Sequence, residues 1–478
     1  MNSNDLILVT GASGYIGGCL VPRLLEKGYR VRCLTRNPTS LQNRSWFSQV
    51  EIVQGDILAS AAVYEALENV RRCYYLVHSM SSGQRYIEQD RLAATNFGAI
   101  AGRAGVQQII YLGGLADPTS ELSSHMRSRV QTGELLRHGG VAVTEFRASM
   151  IIGAGSISFE MIRFLTEQFP VLVGPSWCYN NSQPIAIENV LDYLLAALET
   201  AGCENQVFEI GGKDLISYAQ AMLIYGSLRG LKRKFMIAPW IPVGWLAFGV
   251  ELFTPVPANI ARPLIDGMHS QSIVKNSAAS IIFPDIQPDN YRSAVTQALN
   301  KLSPTYIEPV WENCKDSVKI TKHAGFLIDS RRVNTPVQPW VVFSIIVGLG
   351  CKRGWLSIGL IWRIRGLLDR LVGGTGMRSR QDGELIVGSY TGFYSVETIE
   401  PDRLLRLRAE VKAPGAGWLE WLIKPLPEGG VQLLQTAYFA PKGFAGFFYW
   451  YFLLPIRRLA FAGLIKHIVR QGIAKQCD

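Results

Sequence analysis

The sequence predicts an α/β protein: a doubly wound parallel sheet with a small lobe, followed by an α+β region built on antiparallel strands. Three observations predict it. A glycine turn joins an apolar strand to a helix at the N-terminus. Strand and helix patterns then alternate through the first 150 residues. After residue 300 the alternation stops and the charge balance changes.

The opening segment, "LILVTGASGYIGGCLVPRLLEKGYRVRCLTRNP", reads as strand, turn, helix and strand. Leu6 to Val9 is a short apolar run, as a strand buried on both faces requires. Gly11, Gly14 and Gly17 follow at G-x-x-G-x-x-G spacing. In this context Gly11 permits the tight turn, Gly14 lets backbone approach a pyrophosphate, and Gly17 lets helix and sheet pack closely. Amides at the start of the helix would face the phosphates, with the helix dipole behind them. Leu20, Leu24 and Leu25 supply the inner face of that helix, and Gly28 ends it.

The residue after the second strand is Arg36, where a carboxylate would accept from a ribose 2′-OH. A guanidinium pairs with a 2′-phosphate, so the choice is NADP over NAD. "VEIVQGDIL" gives a third strand ending at Asp56, with a helix over 61–69; "CYYLVHSM" gives a fourth. A helix over 90–104 precedes the fifth strand, "QQIIYLGGL", and "VAVTEFRASMIIG" is the sixth. Such βαβ repetition places ligand at the carboxyl ends of the strands, near Gly11, Arg36, Asp56, His78 and Gly113.

"TGASGYIG", "CLTRNP", "GDIL", "IAIENV" and "FEIGGKDLISY" together resemble the atypical, extended short-chain dehydrogenase/reductases, and within them NmrA-like NAD(P)-binding proteins that carry an extra C-terminal domain. The resemblance covers about residues 5–300. It implies a Rossmann fold, with Ser13, Gly14, Tyr15 and Ile16 at the phosphates, Arg36 at the adenosine phosphate, and Asp56 with Ile57 at the adenine. It also implies a substrate lobe over about 153–300.

The sequence departs from that family's catalytic pattern. Gly113-Gly114 stands where the Ser is expected. "SSHMRSR" places His125 and Arg129 where a Tyr and, four residues on, a Lys are expected. The i, i+4 spacing puts both on one helix face. His125 can act as an acid or base near neutral pH, whereas Arg129 can hold a ribose but does not donate a proton. A His at a polar helix start is more often solvent-facing than catalytic, and the sequence leaves both readings open. His78, at the end of the fourth strand, is placed to line the dinucleotide cleft.

The linker is expected over 301–320, where "KLSPTYIEPVW" carries two prolines. Beyond it, 321–478 reads as a short strand "FLIDSRRV", a helix beginning near Thr335-Pro336, and a second helix in "SIGLIWRIRGLLDRLVGG". Several strands and one long helix over about 444–473 follow. "LLRLRAEV" alternates cleanly, as an antiparallel strand with one wet face does. Helices, antiparallel strands and a last long helix resemble the START-like helix-grip fold. That implies an apolar cavity for a hydrophobic small molecule, lined by Trp418, Trp421, Tyr438, Phe439 and the aromatics at 447–452; ordinary core packing explains the same residues equally well.

Composition bounds the rest. At 478 residues the chain is too long for one ordinary domain. Its eight cysteines are scattered singly, without metal or redox spacing, which reads as reduced thiols in a cytosolic protein. The N-terminus has no basic segment or long apolar run typical of a signal peptide. Residues 340–362 carry Lys352 and Arg353 centrally, and 443–455 is shorter than the ~20 residues of a span, so both read as buried or interfacial. Residues 1–300 hold 24 cationic and 24 anionic side chains, but 301–478 hold 24 and 14, so the whole +10 sits in the second part. That excess suits a peripheral contact with an anionic membrane. No base-reading module accompanies it, which argues against nucleic acid. The sequence thus points to an NADP-binding protein of oxidoreductase or epimerase-like descent acting on a bulky apolar substrate, or to a non-catalytic NADPH sensor.

Overall fold

The computed structural model describes residues 5–42, 44–78, 86–115, 122–302, 304, 318–323, 326–348, 385–426 and 429–477. It divides into two compact units, Met1–Glu312 and Asn313–Asp478.

The first unit is built on a seven-stranded sheet. Its strands are β1 (Leu6–Thr10), β2 (Arg30–Thr35), β3 (Glu51–Gln54), β4 (Arg72–Tyr75), β5 (Gln108–Gly114), β6 (Ala142–Ala148) and β7 (Val207–Ile210). All are parallel, in the order β7-β6-β5-β4-β1-β2-β3. This is the Rossmann arrangement, and its switch point lies between β1 and β4. Both faces are apolar, so alternate residues of one strand enter different cores. Ile7 and Val9 pack under α1 (Tyr15–Glu26). Leu6 and Leu8 face the layer that includes α2 (Ser60–Leu67) and α3 (Tyr86–Arg103). α4 (Ser124–Arg137) lies beside α3. The two approach through glycine: a Cβ on Gly98 of α3 would stand 2.8 Å from the Leu136 carbonyl oxygen of α4.

β7 corrects the expected lobe boundary. The strand containing Phe208 returns to the main sheet beside β6, with Phe208 on Phe146 and Phe283. A four-residue strand reached after some sixty intervening residues carries no local signal of its partner. The lobe proper consists of α5 (Ile157–Gln168), α7 (Tyr218–Leu228), α8 (Val243–Phe253), α9 (Ala258–Gly267) and α10 (Tyr291–Asn300). Between α5 and α7, α6 (Ile187–Ala196) packs against α1. The pair Val171–Gly174 and Lys234–Ile237 adds a two-stranded ribbon.

The second unit holds a seven-stranded antiparallel sheet. Its strands are β8 (Val318–His323), β9 (Phe326–Thr335), β10 (Tyr390–Thr391), β11 (Tyr394–Glu400), β12 (Leu404–Ala409), β13 (Gly415–Pro425) and β14 (Val431–Pro441), in the order β8-β9-β14-β13-β12-β11-β10. β8 begins inside the stretch expected as linker. α11 (Pro339–Gly348) precedes the strands from β10 on, and the helix expected over "SIGLIWRIRGLLDRLVGG" lies outside the described residues. The single long terminal helix is instead two, α12 (Gly443–Phe452) and α13 (Leu454–Cys477). Pro455 has no amide hydrogen to continue the ladder from α12.

Between α13 and β9, Asp329 is enclosed by two arginines. Its Oδ2 lies 3.3 Å from Arg457 Nε and its Oδ1 3.4 Å from Arg331 Nε. Arg457 also stacks 3.5 Å above the Trp450 ring, and Arg331 Nη1 donates to the Arg458 carbonyl at 2.9 Å. Trp418, Trp421, Tyr438 and Phe439 are buried, as are Phe447 and Trp450. Phe448, Tyr451 and Phe452 face outward, so the 447–452 aromatics do not act as one lining.

Candidate functional site

The site lies where the first unit's strands end. Thr10 closes β1, and its buried hydroxyl donates to the Tyr74 carbonyl at 2.9 Å and accepts from the Leu76 amide at 3.2 Å. This latch joins β1 to β4 at the switch point. Gly11 then turns with φ 75°, and a Cβ there would stand 2.6 Å from the Leu76 carbonyl oxygen. A Cβ on Gly17 would run into the Gly11 carbonyl. Ser13 and Gly14 are exposed at the mouth of this turn. Gly14 is the N-cap of α1 and no side chain caps the helix, which leaves its first amides open to an anion. These features fit a dinucleotide's phosphates. Tyr15 turns its ring inward instead: a Cβ on Gly153 would meet its hydroxyl, and burial pushes its pKa well above the ordinary range.

Arg36 is exposed just past β2. The Gly55 amide donates to the Thr35 carbonyl at 2.9 Å, which brings Asp56 alongside. Asp56 Oδ1 accepts from the Leu58 amide at 3.0 Å, and Ile57 packs into the core with Leu34 and Val53. The residues expected at the adenosine end are therefore neighbours on the β2–β3 edge.

At the other end the structure joins two predicted residues directly and backs them with one that sequence reasoning missed. His78 follows β4 and His125 sits in the first turn of α4, whose N-cap Ser123 accepts from the Met126 amide at 3.3 Å. His78 Nε2 lies 3.3 Å from His125 Nδ1, and His78 Nδ1 lies 2.6 Å from Asp90 Oδ2 on α3. The expectation of a solvent-facing His125 is overturned: the residue is 8% exposed, and Asp90 is 4% exposed. Burial first, then His78 and Arg129, pushes the His125 pKa down to about 3. Burial also lowers His78, against the pull of Asp90.

With Asp90 ionised and both rings neutral, Asp90 accepts from His78 Nδ1–H and His78 Nε2 accepts from His125 Nδ1–H. That leaves the lone pair of His125 on Nε2. The arrangement can take up a proton at that atom and spread the charge toward a buried carboxylate. The only sequence signal for Asp90 was an acidic residue in a helix pattern, with nothing local to tie it to His78.

Arg129 is held by strand β5. Its Nη2 donates to the Leu112 carbonyl, its guanidinium lies 5.3 Å from the Tyr111 ring centroid, and Tyr111 donates its hydroxyl to the Arg129 carbonyl at 2.9 Å. Gly113 is buried, and a Cβ on Gly114 would stand 2.8 Å from the Met126 methyl. Met126 thus occupies the space a residue larger than glycine would need. Among the described residues, no group of three or more His, Cys, Asp or Glu is arranged to hold a metal ion.

Comparison with known proteins places two families along the chain. Residues 3–151 match the NmrA-like family, and residues 323–464 match a family described as a protein of unknown function, DUF2867. The photosystem II assembly factor Ycf39 of Cyanophora paradoxa is 25% identical over 239 residues, 49% of this chain and 71% of that protein. A putative dihydroflavonol 4-reductase of Synechocystis is 30% identical over 119 residues, 23% of this chain and 33% of its own length. The chain thus spans about a third of that relative. Among solved structures, the NADPH complex of the Escherichia coli quinone oxidoreductase QOR2 aligns with a TM-score of 0.51 at 19% identity, over 62% of this chain and 100% of that one. The Citrobacter triphenylmethane reductase complexed with NADP(H) aligns with a TM-score of 0.50 at 17% identity, over 61% and 99%. At these identities the likeness is one of fold.

Proposed function

We propose that the first unit is an NADP(H)-dependent oxidoreductase of the NmrA-like, short-chain dehydrogenase type, in which His125 handles the proton while His78 and Asp90 orient it. The observation that carries this is the hydrogen-bonded sequence Asp90–His78–His125, whose middle residue lies two positions beyond Leu76, the residue whose carbonyl abuts the glycine turn. A buried imidazole pair tied to a buried carboxylate is an expensive arrangement for packing alone. Bound in the cleft, the nicotinamide dinucleotide would supply or accept a hydride.

The chain's own residues have distinct tasks in this reading. Amides over Ser13 to Ile16 hold the phosphates, Arg36 pairs with the 2′-phosphate, and Asp56 and Ile57 border the adenine. Gly113 lies near the end of β5, at the reactive end of the cleft. His125 Nε2 takes the proton from a substrate hydroxyl as its carbon gives up hydride, and His78 with Asp90 stabilises the imidazolium. Arg129 positions strand β5, and its charge helps keep His125 neutral. In the reductive direction His125 must first be protonated, which burial disfavours, so reductive turnover should increase as pH falls. The substrate is read as bulky and apolar. The second unit is read as a helix-grip domain of START-like type that binds a hydrophobic molecule.

One observation favours a non-catalytic NADPH sensor instead: Gly113-Gly114 supplies no hydroxyl and Met126 fills the space beside it. Two measurements separate the readings. Calorimetric titration should show NADPH binding that Arg36→Ala weakens by about tenfold, with little binding of NADH. NADPH oxidation with menadione or a triphenylmethane dye as acceptor should be slowed about 10²-fold or more by His125→Ala. Binding without turnover on a broader acceptor panel would leave the sensor; no binding of either dinucleotide would end both readings.

A further inference from the structure

We propose that the lobe of the first unit docks on an anionic lipid surface through the segment 232–252. This goes beyond the cofactor reading and does not depend on it.

From Phe235 to Val250 the chain carries no charged residue, yet much of it faces outward. α8 is apolar on every side except for Glu251 in its last turn. Its inner face packs Ala247 and Val250 against Met161 and Ile265. Its outer face presents Trp245, Phe248 and Leu252, at i, i+3 and i+7, with exposures of 75%, 61% and 55%. A helix apolar on every side is normally covered on every side. Trp240, 78% exposed, precedes it, and the neighbouring ribbon adds Val171, Val173 and Met236. Register places Met236 opposite Val173 and Lys234 opposite Val171, so these side chains share one ribbon face. Isolated apolar residues on a surface mean little, but a contiguous patch marks an interaction site.

Charge selects the occupant. Lys232, Arg233 and Lys234 border the patch at its start, and Glu251 is the single acid between 232 and 253. Lys232 and Lys234 are exposed. Tryptophans at the rim of an apolar face, with lysines beside them, match the interface of a bilayer, where indoles sit at headgroup depth and cations meet anionic lipid. Among the described residues no helix is long and apolar enough to cross a membrane, so the contact would be peripheral. α9, which packs on α8, also contacts α4, the helix that bears His125.

The test is flotation of the full chain with vesicles of phosphatidylcholine alone or mixed equally with phosphatidylglycerol, at 0.15 M salt and without cofactor. Binding to the mixed vesicles is expected, with at least about tenfold weaker binding to phosphatidylcholine. Trp240→Ser with Trp245→Ser should weaken it at least about tenfold, and Lys232→Ala with Lys234→Ala should remove about fivefold per lysine of the anionic preference. All four positions are exposed; melting curves matching the parent chain establish that the variants fold, and the lysine pair is the reserve should the tryptophan pair fail to fold. Phe444→Ser with Phe448→Ser, on the second unit's exposed helix face, is the control. Loss of binding in that variant alone, or no binding at all, would overturn the proposal. So would a tryptophan variant that changed the chain's oligomeric state without vesicles, since the face would then join two copies. NADPH titration of the same variants should be unchanged, which keeps a failure here distinct from a failure of the cofactor reading.

Discussion

Two buried clusters, one in each unit, share a plan and differ in what they can do. Each sets one enclosed carboxylate against two basic side chains. In the first, Asp90 meets His78 and, through it, His125. In the second, Asp329 meets Arg331 and Arg457. Imidazole can shed its proton, so burial is relieved by neutralisation and both histidines are shifted downward. Guanidinium keeps its proton at every pH the fold survives, so its charge must be compensated in place, here by the carboxylate, a carbonyl and the Trp450 ring. The difference teaches that a buried acid with basic neighbours is not a functional signature by itself. In the proposed function the first cluster moves a proton; the second only holds charge.

The comparison can be broken by removing each acid. Asp329→Ala leaves two permanent cations facing each other, and should destabilise the second unit by about 3–5 kcal/mol in urea unfolding. Replacing Arg331 and Arg457 by Met in the same chain should recover most of that loss. Asp90→Ala leaves neutral rings behind, and should cost about 1–3 kcal/mol. Equal costs for the two would erase the distinction. Acidity sharpens it further. The folded pKa of His125 lies below its unfolded value near 6.5, so between about 6.5 and 3 the unfolded chain binds the extra proton. Its contribution to stability is therefore complete above that range and lost as pH falls through it. From pH 7 to 5.5 the parent chain should lose about 1 kcal/mol more than His125→Asn. A parallel pH profile for the two chains would mean that His125 is not held neutral.

What was legible in the sequence follows the range of each signal. The glycine turn, α1 and the first six strands are written in local periodicity and spacing, and the structure forms them where that spacing falls. The seventh strand was not legible as part of the main sheet, because its partner β6 lies across the lobe in sequence. The break between α12 and α13 was marked by Pro455, but the long apolar run before it concealed it. In the site, His78 and His125 were each visible as a residue type in a suggestive place. Their contact, and Asp90 behind them, came from packing of α3, α4 and the end of β4, which no window of sequence contains. The weight toward a solvent-facing His125 failed for the same reason: the polar surroundings in "ELSSHMRSR" describe the chain, not the neighbours that folding brings.

The glycine contact between α3 and α4 has a consequence for that spacing. Gly98 lies eight residues beyond Asp90, about 12 Å along the axis of α3. There the two helices touch backbone to backbone, and a methyl group on Gly98 would be a wedge at the Leu136 carbonyl. Helices are stiff, so a wedge at one point becomes leverage at another. The gap it would open at the far end is the one between Asp90 on α3 and His125 on α4, which His78 bridges. The span of the Asp90–His78–His125 series is thus gauged by a residue that touches none of its members, much as a caliper's jaws are set by a screw at its other end.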